Sequence, residues 1–182
     1  MLLMHMKTSA NVPNPNIQTY EYTIKAVKQA SSYSKCLEII EAMKSDGYEI
    51  SENILKDVID CCARAGRMDR ALELLNSEDL PADQKIYTWM IKGFTVTQQL
   101  DRALALHTKM TSAGIESTIT IYSHLIECAV ANEQLEQASE LYTDLCSSGI
   151  TPDLNLYTSL CKGYSRAGTV DKAFEVLEKM QI

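Results

Sequence analysis

The chain repeats itself, and that repeat limits what it can fold into more than any other feature. Tyr20, Tyr87, Tyr122 and Tyr157 have similar neighbours; the last three stand 35 residues apart, and Tyr20 precedes Tyr87 by 67, nearly twice that interval. Leu55 fills the missing place. The phase divides the chain into units 17–51, 52–83, 84–118, 119–153 and 154–182, the second three residues short and the last stopping after 29. Counted from the first residue of each unit, all seven glycines fall on three slots: Gly47, Gly114 and Gly149 on slot 31, Gly66 and Gly168 on slot 15, Gly93 and Gly163 on slot 10. Glycine accepts the left-handed conformation that closes a helix, so slots 15 and 31 predict helix ends. Each unit is then two helices joined by turns.

Hydrophobic periodicity agrees. In the fourth unit Tyr122, Leu125, Ile126 and Ala129 recur at i, i+3, i+4, i+7, and Leu135, Ala138, Leu141, Tyr142 and Leu145 do so after the turn. The third unit repeats the pattern with Tyr87, Met90, Ile91 and Phe94, then Leu100, Ala103, Leu106 and Met110. Slot 20 is small throughout (Cys36, Ala71, Ala103, Ala138, Ala173), which lets helices approach closely. Asp69, Asp101, Glu136 and Asp171 open the second helices, where the positive N-terminus favours them. No unit can bury its stripes alone, so the expected fold is all-α, an α-solenoid of stacked helix-turn-helix repeats. Leu2, Leu3, Met6 and Lys7 match the spacing of Ile39, Ile40, Met43 and Lys44. Residues 1–16 are therefore expected to close a preceding repeat and link it to the first unit, the chain being a window on a longer array.

Composition narrows the function. No apolar run approaches the roughly 18–20 residues of a membrane span. Three scattered histidines (His5, His107, His124) and six cysteines without a C-x-x-C pair offer no metal-ligand spacing. The cysteines are expected to be free and packed as small hydrophobes, which suits a reducing compartment. No nucleophile–base set or phosphate-cradling glycine loop is present, so no enzyme, cofactor, metal or small-molecule substrate is expected.

The stretch from Leu154, LNLYTSLCKGYSRAGTVDKAFEVLEKM, resembles a pentatricopeptide repeat, and Gly149-Ile150-Thr151-Pro152-Asp153 resembles its closing link. The resemblance covers all five units and the opening tail. The related tetratricopeptide pattern has a 34-residue period and a tryptophan–leucine–glycine opening; Trp89, following Tyr87 and Thr88, fits it worse. The resemblance implies single-stranded RNA as partner, with about one base per repeat. It also implies work in mitochondria or plastids on transcript stabilisation, processing, editing or translation. The family reads bases with the fifth and last residues of each repeat, and an apolar second residue grips the base. Carried over, the fifth slots are Glu21, Lys56, Thr88, Ser123 and Thr158, and the last slots are Ser51, Asp83, Thr118 and Asp153. Ser123 with Asp153 resembles a pairing associated with guanine; Thr88 with Thr118, Lys56 with Asp83 and Glu21 with Ser51 depart from known pairings. The second slots (Gln18, Asn53, Lys85, Thr120, Asn155) are polar, unlike the family's. Ser51, Asp83, Thr118 and Asp153 are equally suited to cap the helix that follows each of them, and the fifth-slot hydroxyls equally suited to a solvated helix face.

Net charge is −7, the wrong sign for binding RNA by bulk charge. Slots 1–16 of the units hold nine Lys/Arg and six Asp/Glu, or +3, leaving eight and eighteen, or −10, for the rest. The resemblance implies that first helices line a concave groove and second helices the convex back. Lys25, Lys28, Lys85, Lys92, Lys162 and Arg166 are then the candidate phosphate contacts. The alternative is a scaffold whose extended surface holds protein partners in an organellar ribosome or membrane complex, its base-reading slots degenerate.

Overall fold

The computed structural model describes residues 15–30, 32–77 and 83–180, the side chains of 74–77 excepted. The expected close of a preceding repeat lies outside the described residues, apart from Pro15 and Asn16. Among the described residues there are ten helices and no strand, the all-α class expected from the repeat. They run α1 (Ile17–Gln29), α2 (Tyr33–Ser45), α3 (Glu52–Arg64), α4 (Met68–Ser77), α5 (Gln84–Val96), α6 (Leu100–Ser112), α7 (Ile119–Ala131), α8 (Leu135–Ser147), α9 (Leu154–Arg166) and α10 (Val170–Met180). No described helix is long and apolar enough to cross a membrane.

The helix ends follow from local chemistry. Asn16, Ser51, Asp83, Thr118 and Asp153 each accept a hydrogen bond from the backbone N–H three residues on, at 2.8, 3.4, 2.9, 3.4 and 2.8 Å, and so start the five first helices. Such caps contribute roughly 0.5–2 kcal/mol each. Second helices α2, α6 and α8 have no side-chain cap bond; acidic residues in the first turns of α6 and α8 complement the helix dipole instead. The left-handed turns expected at slots 15 and 31 occur at Gly47, Gly66, Gly114, Gly149 and Gly168. Slot 15 is left-handed even where it is not glycine, at Gln98 (φ 55°) and Glu133 (φ 61°). The turn is set by the helix-closing bonds Gln99 N–H to Phe94 C=O and Gln134 N–H to Ala129 C=O, both 2.9 Å, which impose it whatever the side chain.

The chain forms two compact units, Met1–Ala71 and Leu72–Ile182, divided inside α4. In the first, α1, α2 and α3 pack on one another around Tyr20, Ile24, Ile40, Met43, Ile54, Leu55 and Ile59, all fully buried. Tyr20 Oη donates to Asp46 at 2.5 Å, and burial with that acidic neighbour pushes the phenol pKa up. In the second unit first helices α5, α7 and α9 lie side by side, and each second helix packs on its own first helix. Helices α6 and α8 also lean on the next first helix, α7 and α9. One contact recurs between hairpins: slot 24 of one meets slot 4 of the next, as His107 on Tyr122 (ring centroids 5.5 Å) and Tyr142 on Tyr157 (6.1 Å). Gly163 permits a close approach, since a Cβ there would lie 2.9 Å from Leu135 Cδ2 and 3.0 Å from Val130 Cγ1.

Cysteine placement corrects one expectation. Cys36, Cys61, Cys62 and Cys128 are buried and free, but Cys146 is exposed and Cys161 half-buried. Burial, with neighbouring thiols, pushes Cys36 and Cys62 up to about 12, so both stay protonated and act as packing groups.

Candidate functional site

A cleft of about 350 Å³ opens between the first helices α7 and α9. Its walls are built by the repeat: slots 1, 2, 5, 6 and 9 of α7 supply Ile119, Thr120, Ser123, His124 and Glu127. Slots 2, 5, 6 and 9 of α9, with the capping residue before it, supply Asn155, Thr158, Ser159, Lys162 and Asp153. These positions face the cleft because the opposite stripe turns inward, Ile121, Tyr122, Leu125, Ile126 and Ala129 being buried on α7 and Leu156, Leu160 and Tyr164 on α9. The fifth-slot Ser123, the last-slot Asp153 and the fifth-slot Thr158 thus share one cleft.

The hydroxyls differ in what they have to offer. Thr88 Oγ1 donates to Gln84 C=O and Thr158 Oγ1 to Leu154 C=O, both at 2.7 Å, so each proton is held by its own helix and only lone pairs point outward. Among the described residues the Ser123 hydroxyl has no such bond and keeps both donor and acceptor. Asp153 Oδ1 accepts the cap bond from Leu156 N–H. Capping therefore explains the acceptor chemistry of Ser51, Asp83, Thr118 and Asp153, and in Asp153 a carboxylate that caps also lines the cleft.

In the first unit the fifth and last slots also meet: Ser51 Oγ donates to Glu21 Oε1 at 3.5 Å. There Lys28, one of the phosphate candidates, is ion-paired. Its Nζ lies 2.7 Å from Asp57 Oδ1 and 2.7 Å from Asp60 Oδ2, with only 22% of the side chain exposed. Burial alone would lower this ammonium's pKa, but the two carboxylate bonds outweigh it and hold it raised. Its charge is already matched, and Lys28 is not an open cation. Lys25 is exposed, with Nζ 5.8 Å from the Tyr22 ring centroid. Lys56 is exposed on α3. In the second unit Lys85, Lys92, Lys162 and Arg166 are exposed; Lys162 lines the cleft, and Arg166 stands by Gly163 and Val130 in a separate hollow.

Sequence reasoning missed His124 as a cleft residue and weighed Glu127 only as a charge opposed to RNA. Nδ1 of His124 lies 3.6 Å from Glu127 Oε2. Burial lowers the imidazole pKa, with Glu127 opposing and Lys92 assisting, so the ring is neutral at neutral pH. The missing signal was positional: slots 6 and 9 share the exposed arc with slots 2 and 5. Among the described residues no group of three or more His, Cys, Asp or Glu side chains could hold a metal ion.

Residues 91–182 match the family model described as the pentacotripeptide-repeat region of PRORP, and residues 57–77 match the PPR repeat. The chain belongs to the pentatricopeptide repeat family. This pentatricopeptide array is similar in fold to the pentatricopeptide repeat protein PPR10 in complex with an 18-nt psaJ RNA element (TM-score 0.77, 20% identity, 98% of this chain and 27% of that one). It is similar also to PPR10 from maize (TM-score 0.79, 20% identity, 92% and 24%). A third similar structure is the PPR domain of Arabidopsis thaliana protein-only RNase P 1 in complex with tRNA (TM-score 0.71, 12% identity, 88% and 86%). The array spans about a quarter of the length of the PPR10 chains. No curated protein matches it.

Proposed function

We propose that this array binds single-stranded RNA along the face of its first helices and serves organellar RNA metabolism, in transcript stabilisation, processing or translation within a mitochondrion or plastid. One observation carries the proposal: the α7–α9 cleft gathers Ser123, Thr158 and Asp153, which can meet a base edge, with Lys162, which can meet a phosphate. A splayed base entering the cleft would take a donor and an acceptor from Ser123 and give an amino proton to Asp153. RNA in two structures of similar fold supports this reading. Lysines on first helices offset the acidic total through local attraction.

Fluorescence anisotropy of a labelled single-stranded RNA tests it. Affinity is expected to fall steeply with salt, and Lys92→Glu with Lys162→Glu to flatten the log–log slope by about 1.4, the release of two phosphate contacts on a single strand. Absence of binding at low salt would overturn the proposal. Glu127 and the surplus negative charge of the Asp57–Asp60–Lys28 cluster favour the second reading, a protein-binding scaffold, because carboxylates at slots 6 and 9 repel phosphate. Fixed protein partners that survive nuclease treatment would support it.

A further inference from the structure

The apolar second-slot grip of the family is absent here, since Gln18, Asn53, Lys85, Thr120 and Asn155 are polar. If bases are held in the groove, something else must provide their stacking surface. Slot 6 faces the cleft on both of its walls, as His124 on α7 and Ser159 on α9. In three of the five first helices that slot is a planar ring: Tyr22, Trp89 and His124.

None of the three is a fully buried packing residue: Tyr22 is 71% exposed, Trp89 and His124 half-buried. Tyr22, left largely in water on its helix face, gains little from the core, and His124 keeps 20% of its side chain exposed where it lines the cleft. A lysine follows one turn later at slot 9 in two of the three cases, Tyr22 with Lys25 and Trp89 with Lys92. In the first pair the ammonium stands 5.8 Å from the ring centroid. In the second, Lys92 also lies close enough to His124 to act on its charge. Ring and cation at i and i+3 share one helix face, and together they match the two parts of a nucleotide, a flat base and an anionic phosphate.

We propose that slot 6 provides the base-stacking platforms of this array, with Tyr22, Trp89 and His124 each taking the face of one base and Lys25 and Lys92 the adjoining phosphates. This rests on the RNA-binding reading above and adds to it the groups that grip the base. Stacking on aromatic rings tolerates any base, because every base has a π-face. The rings would therefore add affinity without sequence choice, leaving discrimination to Ser123 and Asp153.

Trp89 is the sole tryptophan, so its emission is a private reporter of its own slot. The full chain would be titrated with a labelled, mixed-sequence single-stranded RNA of about 15 nucleotides, following RNA anisotropy and Trp89 emission together. The expected result is quenching that tracks binding. Trp89→Leu and Tyr22→Leu, which keep apolar bulk but remove the ring, should each weaken binding roughly 5- to 150-fold, and Trp89→Phe should restore most of it. Circular dichroism of each variant separates a lost contact from a lost fold. RNA that binds without quenching, with the leucine variants binding like the parent, overturns the stacking assignment and leaves the RNA-binding reading standing. No anisotropy change at low salt overturns both.

Discussion

Gln98 and Glu133 hold the left-handed turn with side chains that resist it, at φ 55° and 61°, where other units use glycine. A non-glycine residue there carries about 1 kcal/mol of steric cost. Gln98→Gly and Glu133→Gly are each expected to raise stability by roughly that amount in urea unfolding, less the extra chain entropy glycine brings, while Gly66→Ala lowers it. A second residue-scale test concerns Asp153, which caps α9 and lines the cleft at once. Asp153→Asn keeps a capping oxygen, so stability should hold, whereas Asp153→Ala should lose about 1 kcal/mol. If the carboxylate also meets a base, both variants weaken RNA binding; if it only caps, Asp153→Asn binds as before.

Between elements, the Lys28–Asp57–Asp60 cluster clasps α1 to α3 in the first unit. Lys28→Met would leave two partly shielded carboxylates facing each other without their cation. Because all three groups keep some solvent, the expected loss is about 1–2 kcal/mol, below that of a fully buried pair, and substituting both aspartates by asparagine as well should recover much of it. The packed hairpins also carry a pH dependence. His107 sits against Tyr122, its Nε2 2.7 Å from Ser117 Oγ. Burial lowers its pKa, only partly opposed by Asp144, and burial lowers that of His124 as well, with Glu127 opposing. Unfolding returns both to about 6.5, so the unfolded chain binds more protons below that value. Stability from these groups is complete above the unfolded pKa and is lost as pH falls through the folded values. Denaturation midpoints should decline between neutral pH and about 5, and His107→Gln should lessen the decline.

At the scale of the molecule, the parts legible in the sequence are those fixed by local chemistry. Glycine spacing marked turns that the backbone makes, and Asn, Ser, Asp and Thr before each first helix act as caps through their own side chains. What stayed hidden depends on neighbours in space. Nothing in the sequence near Lys28 announces carboxylates 29 and 32 residues on. Cys146 belongs to an apolar-looking stretch yet is exposed. The place of His124 in the cleft depends on α7 and α9 lying side by side, which exposes slots 6 and 9 along with slots 2 and 5.

The proposed function makes the first helices the ligand-bearing face. Photocross-linking of the whole chain to a single-stranded RNA, with the linked peptides read by mass spectrometry, tests it most directly. Adducts are expected in the first helices, concentrated at Tyr22–Lys25, Trp89–Lys92, Ser123–Glu127 and Thr158–Lys162. Adducts concentrated in α6, α8 and α10 would contradict it.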